Sequence, residues 1–232
     1  MSRRLPGLGG LAALLSFALS CFAPAADAQS APGDADLVPY AVHVNRTPKQ
    51  SWPGYGVYLG NGLILTAAHV PGEVADTKPR IEIAGLDLPA TLVKQGWFET
   101  NDLTLLSVDA SQLPLRLRMR RMPVCEKPSF PGQSVVVATP EGTARSHVVP
   151  ARVAPPNVRD RFSTLIGDVA TTGNSGSGVF DARSQCLLGI ISRKISIWKP
   201  TRPGEPRQTM DIAKYFVPAQ EIRAFLPAGV SF

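Results

Sequence analysis

Histidine, cysteine and long apolar runs are all scarce in this 232-residue chain, and each scarcity removes a class of protein. The three histidines, His43, His69 and His147, lack paired-ligand spacing such as His-Glu-x-x-His, so no metal centre and no cofactor is expected. The longest apolar stretch, Leu11 to Phe22, is shorter than the roughly 20 residues that cross a bilayer, so no permanent membrane anchor is expected. Basic residues are scattered and have no interleaved aromatics, which argues against nucleic acid as a partner. The net charge of +6 permits attraction to acidic partners without naming one. Glycine has no period of three, which rules out collagen. With 44% apolar residues the chain has enough material for a packed core, while 20 Gly and 22 Pro leave few stretches long enough for a helical bundle.

Residues 1–28 read as an address. Arg3 and Arg4 precede the apolar stretch, and the small-residue triplet Ala26-Asp27-Ala28 follows it, the order of a secretory signal peptide. Export to a periplasmic or extracellular compartment is expected. A lipid-modified Cys21 is the weaker reading, because Ala18 stands where a large aliphatic residue is usual. Beyond this segment only Cys125 and Cys186 remain, so one disulfide is expected in an oxidising compartment, with two buried thiols as the alternative.

After a Ser/Ala/Pro-rich lead at 29–36, short apolar runs alternate with turn signals. Leu37 to Val44 is the first predicted strand. Tyr55 to Leu59 and Leu63 to Thr66 flank Gly60-Asn61-Gly62, where Asn-Gly suits a tight hairpin. Ile81 to Ile83, Leu88 to Val93 and Leu103 to Val108 complete about six strands, and a similar number follows between Ser134 and Val217. Ala219 to Leu226 is the one convincing helix. The predicted fold is therefore all-β: two six-stranded antiparallel β-barrels, at 37–120 and 121–232, with a short C-terminal helix. Near the junction Arg116, Arg118 and Arg120 alternate with Leu115, Leu117 and Met119, a period of two that predicts a strand.

Three segments carry candidate chemistry. A serine hydroxyl attacks a carbonyl only with a base beside it and a group that orients the base. His69, in Leu65-Thr66-Ala67-Ala68-His69, follows the hairpin strand among small residues. Asp102, in Asn101-Asp102-Leu103-Thr104, stands at the entrance to an apolar strand, where a carboxylate holds an imidazole in one tautomer. Ser175 lies in Gly173-Asn174-Ser175-Gly176-Ser177-Gly178, whose glycines let the backbone turn and present N–H groups beside the hydroxyl. The order His, Asp, Ser and the text around each residue resemble the trypsin-like, or chymotrypsin-fold, serine proteases from about Leu37 to Leu226.

That resemblance implies a secreted or periplasmic endopeptidase acting on protein or peptide substrates, with Ser175 as nucleophile, His69 as base and Asp102 as its orienting partner. It also implies an oxyanion hole from the N–H groups of Gly173 and Ser175, and a substrate cleft lined by Val169, Ile191, Ser192 and Arg193. Asn174 replaces the aspartate that binds a newly freed N-terminus in digestive and clotting proteases, so no such activation is expected. Gly-Asn-Ser-Gly is similar instead to bacterial exported proteases of the high-temperature-requirement and glutamyl endopeptidase groups, here with no PDZ domain expected. Ile191 and Ser192 occupy the region where glutamyl endopeptidases carry a histidine, and Val169 stands where an aspartate would select Arg or Lys. A small or medium apolar side chain is the expected preference. A non-catalytic homologue that binds a partner through the 116–121 strip or the 193–207 loop is the alternative.

Overall fold

The computed structural model describes residues 33–45, 54–199 and 208–228, so the signal segment and the tip of the 193–207 loop lie outside the described residues. Period-two burial, as in Arg80 to Ile83 where Ile81 and Ile83 are buried and their neighbours exposed, makes strands that hide one face. Seven of them form the first sheet: β1 Ala41–Asn45, β2 Gly54–Gly60, β3 Leu63–Thr66, β4 Arg80–Ile83, β5 Leu86–Pro89, β6 Thr91–Gln95 and β7 Thr104–Ser107. All pairings are antiparallel, in the order β5-β4-β1-β2-β3-β7-β6. The edge strands β5 and β6 are joined through Ala90 alone, so the sheet curls until its two edges meet there.

The second half is a closed barrel of β8 Ser134–Thr139, β9 Gly142–Val149, β10 Leu165–Ile166, β11 Gly178–Asp181, β12 Leu187–Lys199 and β13 Gln208–Pro218. A terminal helix, Ala219–Phe225, follows Pro218 and buries Ala219, Ile222 and Phe225. The all-β, two-barrel architecture expected from the sequence is borne out, with one strand more in the first half. The run at 88–93, read as a single strand, breaks at Pro89-Ala90: Pro89 ends the pairing with β4, and Ala90 donates instead to the Pro79 carbonyl. Among the described residues no helix is long and apolar enough to cross a membrane.

The β2–β3 hairpin turns through Asn61 and Gly62 with φ of 53° and 78°, as the Asn-Gly pair predicts. A side chain at Gly62 would lie 2.4 Å from the Val108 carbonyl, so the tight turn also carries β7's exit.

Three local readings are corrected. The strand expected from Leu37 begins only at Ala41, because Asp34–Tyr40 is a 3-10 helix. Asp34 is buried and takes two hydrogen bonds from Arg145 on β9, at 2.7 and 2.9 Å, so the chain is clasped to the second barrel before Asp36. Arg116 and Arg118 lie on a single helical turn, Leu115–Arg118, that starts after Pro114; Leu117 is buried while Leu115 and Met119 are exposed, so the alternation of residue types was not a strand face. Residues 193–199 of the expected 193–207 loop are strand instead, since β12 continues to Lys199 and pairs with β13 from Gln208.

The link between the halves is fastened by the disulfide Cys125–Cys186, with Cα atoms 5.1 Å apart, and by a parallel bridge from Val124 to Leu187. Closing a loop of 61 residues restricts the unfolded chain, worth about 4 kcal/mol by loop entropy. Replacing both cysteines by alanine is expected to lower unfolding free energy by roughly 2 to 4 kcal/mol, read by urea denaturation.

Candidate active site

The imidazole and the carboxylate come from the first sheet. His69 follows β3, where Thr66, Ala67 and Ala68 are buried and hold the turn against the sheet. Asp102 precedes β7 in a left-handed conformation, φ 39°, uncommon for a residue with a side chain. Its own N–H donates to the Trp97 carbonyl at 3.0 Å, and its carbonyl accepts from Ala68 N–H at 3.2 Å, which fixes the 97–102 loop to the His69 turn.

Asp102 is 1% exposed, yet its carboxylate is well supplied with donors. His69 Nδ1 lies 3.0 Å from both oxygens, the His69 backbone N–H donates to Oδ1 at 3.3 Å, and the Ser192 hydroxyl donates to Oδ2 at 2.5 Å. The Arg193 guanidinium stands 3.8 Å from Oδ2. A carboxylate only accepts, so Nδ1 carries the proton and Nε2 is left with a free lone pair. The ring is also packed edge-on against Phe98, with centroids 5.2 Å apart.

Ser175 comes from the second barrel. Its loop is braced on both sides: Gly176 N–H donates to the Ile191 carbonyl at 2.8 Å, and the Ser175 carbonyl accepts from Tyr55 N–H on β2 at 3.1 Å. Gly176 has φ +90°, and a Cβ there would lie 1.8 Å from the Tyr55 carbonyl oxygen. Only glycine allows this approach of the Ser175 loop to the first sheet. Gly176→Ala is expected to cost at least about 3 kcal/mol and to lower activity with it, seen as a fall in Tm alongside peptide hydrolysis.

The Ser175 hydroxyl donates to the Ser192 carbonyl at 3.1 Å. The Ser175 backbone N–H has no partner among the described residues, whereas Gly173 N–H donates to the Thr171 carbonyl at 3.3 Å. His69, Ser175, Ile191, Ser192 and Arg193 line one cleft of about 610 Å³, so the structure brings these sequence-predicted residues together. Within it Arg193 is tied to Phe98 and Ser192: Nη2 donates to the Phe98 carbonyl at 3.0 Å and Nε to the Ser192 hydroxyl at 3.1 Å. Val169 sits in an adjoining cavity with Gly173, Lys194 and Lys214. His43 and His147 are elsewhere, facing Glu141 at 3.3 Å and Asp168 at 3.8 Å. Among the described residues no cluster of three or more His, Cys, Asp or Glu side chains is placed to hold a metal ion.

Sequence reasoning missed Tyr55, Phe98 and Lys214, which also line the cleft. Tyr55 and Phe98 carry no local signal, since their neighbours are brought in by the meeting of the halves. Lys214 did carry one: it is the single lysine inside the apolar run from Met210 to Val217.

The curled sheet and the closed barrel, with a cleft between them, are the architecture of the chymotrypsin-fold serine endopeptidases. A sequence model described as a trypsin-like peptidase domain matches residues 54–190, more than half of the chain, and the chain belongs to that family. No curated protein matches the sequence. Among solved structures, the active form of the Rv3671c protease of M. tuberculosis shares 16% identity, covering 83% of this chain and 81% of its own, with a TM-score of 0.55. The MamO protease domain from Magnetospirillum magneticum shares 23% identity over 82% of this chain and 97% of its own, with a TM-score of 0.52. A serine endoprotease from Yersinia pestis shares 19% identity over 85% of this chain and 66% of its own, with a TM-score of 0.53. At these identities the likeness is one of fold.

Proposed function

We propose that this chain is an exported serine endopeptidase that cleaves peptide bonds through a Ser175 acyl-enzyme. The observation that carries the reading is the buried Asp102 held 3.0 Å from the Nδ1 of His69, a ring that lines the same cleft as Ser175. Asp102 fixes the tautomer, His69 Nε2 takes the Ser175 proton as the hydroxyl attacks the carbonyl, and the same nitrogen then protonates the leaving amine. Deacylation repeats the cycle with water. The hydroxyl must first leave the Ser192 carbonyl and turn toward the imidazole, a rotation about one side-chain bond. Ser175 N–H is ready to receive the developing oxyanion, and Gly173 N–H joins it once the 172–173 peptide turns away from Thr171. Export is supported by Arg3, Arg4, the apolar 11–22 stretch and Ala26-Asp27-Ala28.

A second reading, a partner-binding homologue without turnover, draws on the two groups that point elsewhere, the Ser175 hydroxyl and Gly173 N–H. A fluorophosphonate probe separates them. Labelling of the wild type that disappears in Ser175→Ala is the expected result, and a folded wild type that never labels would favour the homologue.

A further inference from the structure

Two lysines in the cleft, Lys194 and Lys214, have no part in the chemistry above, and Lys214 is the buried one. The buried charged side chains among the described residues are Asp34, Asp102 and Lys214. Asp34 has Arg145, and Asp102 has His69, with Arg193 nearby. Lys214, 4% exposed, has no ion-pair partner among the described residues. Its ammonium donates to the carbonyl oxygens of Thr172 and Gly173, the residues that lead into Asn174 and Ser175. A lysine has three N–H donors, so one is left over.

The strand register adds a second, independent observation. Pairing of β12 with β13 slips between Ile191 and Arg193, leaving Ser192 as the extra residue of a bulge. Beyond the bulge Lys194 stands directly opposite Lys214, and opposed residues of an antiparallel pair share a face. Like charges so placed destabilise a sheet. Asp211 pairs directly with only one of them: its carboxylate is taken by Lys194 Nζ at 2.8 Å and the Ser196 hydroxyl at 2.6 Å, and its charge reaches Lys214 only across the cavity they share. Burial first, then repulsion from Lys194, lowers the Lys214 pKa to about 8, so at neutral pH it is still mostly charged. Both lysines line the cleft beside His69 and Ser175.

We propose that Lys214, with Lys194 beside it, receives the side-chain carboxylate of the substrate, so that the enzyme cuts on the carboxyl side of glutamate or aspartate. The inference rests on this cleft being the catalytic one. A bound carboxylate accepts the spare N–H and supplies the directly paired counter-ion that Lys214 lacks among the described residues. The apolar preference expected from Val169 is thereby replaced, because the residue that sets the charge lies on the last strand.

The test uses fluorogenic peptides identical except for Glu, Asp, Gln or Leu before the scissile bond. The expected ratio of kcat/KM for Glu over Gln is roughly 100-fold, falling to near unity in Lys214→Met, returning in part in Lys214→Arg, and falling about fivefold in Lys194→Met. A purely structural lysine would lower both rates and leave the ratio alone. A wild-type ratio near one, or a ratio unchanged in Lys214→Met and Lys194→Met, overturns the proposal. Chemistry is separated from the pocket by calorimetry on Ser175→Ala, with N-acetylated tripeptide amides ending in Glu or Gln. Tighter binding of the Glu peptide, lost in Lys214→Met, supports the pocket even where fluorophosphonate labelling fails; equal binding of the two refutes it.

Discussion

Ser175→Ala is expected to lower kcat for peptide hydrolysis by roughly six orders of magnitude, and His69→Ala by a comparable factor. The double variant should be no slower than either single one. Nucleophile and base act as a unit, so once one is gone the other has nothing left to accelerate. Stability should hardly move in Ser175→Ala, because the side-chain hydrogen bond removed among the described residues, the part-buried one to the Ser192 carbonyl, is worth about 1 kcal/mol. Steady-state hydrolysis and thermal unfolding on the same preparations check both halves of the expectation. A Ser175→Ala protein that still turns over near the wild-type rate would remove the acyl-enzyme.

Asp102→Asn is the second large effect, a loss of about 10⁴ in kcat with KM little changed. The carboxylate touches no substrate; it accepts from His69 Nδ1 at 3.0 Å. An asparagine amide turned toward the ring donates instead, which moves the ring proton to Nε2 and removes the base. The site offers the amide no comfortable alternative, since the Ser192 hydroxyl and the His69 backbone N–H already donate into the same group. Unlike Ser175→Ala, this variant should also lose stability, because a donor then faces a donor in a place that water does not reach. Kinetics at saturating and limiting substrate separate kcat from KM, and circular dichroism melts report the stability.

Much of this was legible in the chain itself, for identifiable reasons. Strands that bury one face, such as Ile81 to Ile83, announce themselves by alternation, and the Asn61-Gly62 turn does so by its demand for positive φ. The three candidate side chains were legible because His69, Asp102 and Ser175 each sit in local text that constrains backbone and neighbours together. What failed were inferences from short windows. Arg116, Arg118 and Arg120 alternate with apolar residues, yet after Pro114 the same text fits one helical turn with Leu117 turned inward. The ordering of Asp34 depends on Arg145, distant in sequence, and no window contains both. Lys214 was visible as a charge in an apolar strand, but its meaning needed the bulge at Ser192, which sets which residue faces it.

The division of labour between the halves has a consequence for how the molecule is made. The His69 imidazole is translated with the first sheet and the Ser175 hydroxyl with the second barrel, and the loop holding that hydroxyl is registered on the first sheet through Tyr55 N–H and Gly176. A ribosome that has released only the first half has synthesised no hydrolase, and an isolated second half has a serine without a base. Under the proposed chemistry, cutting power arises late, as a property of the finished molecule, and the order of synthesis itself shields the growing polypeptide.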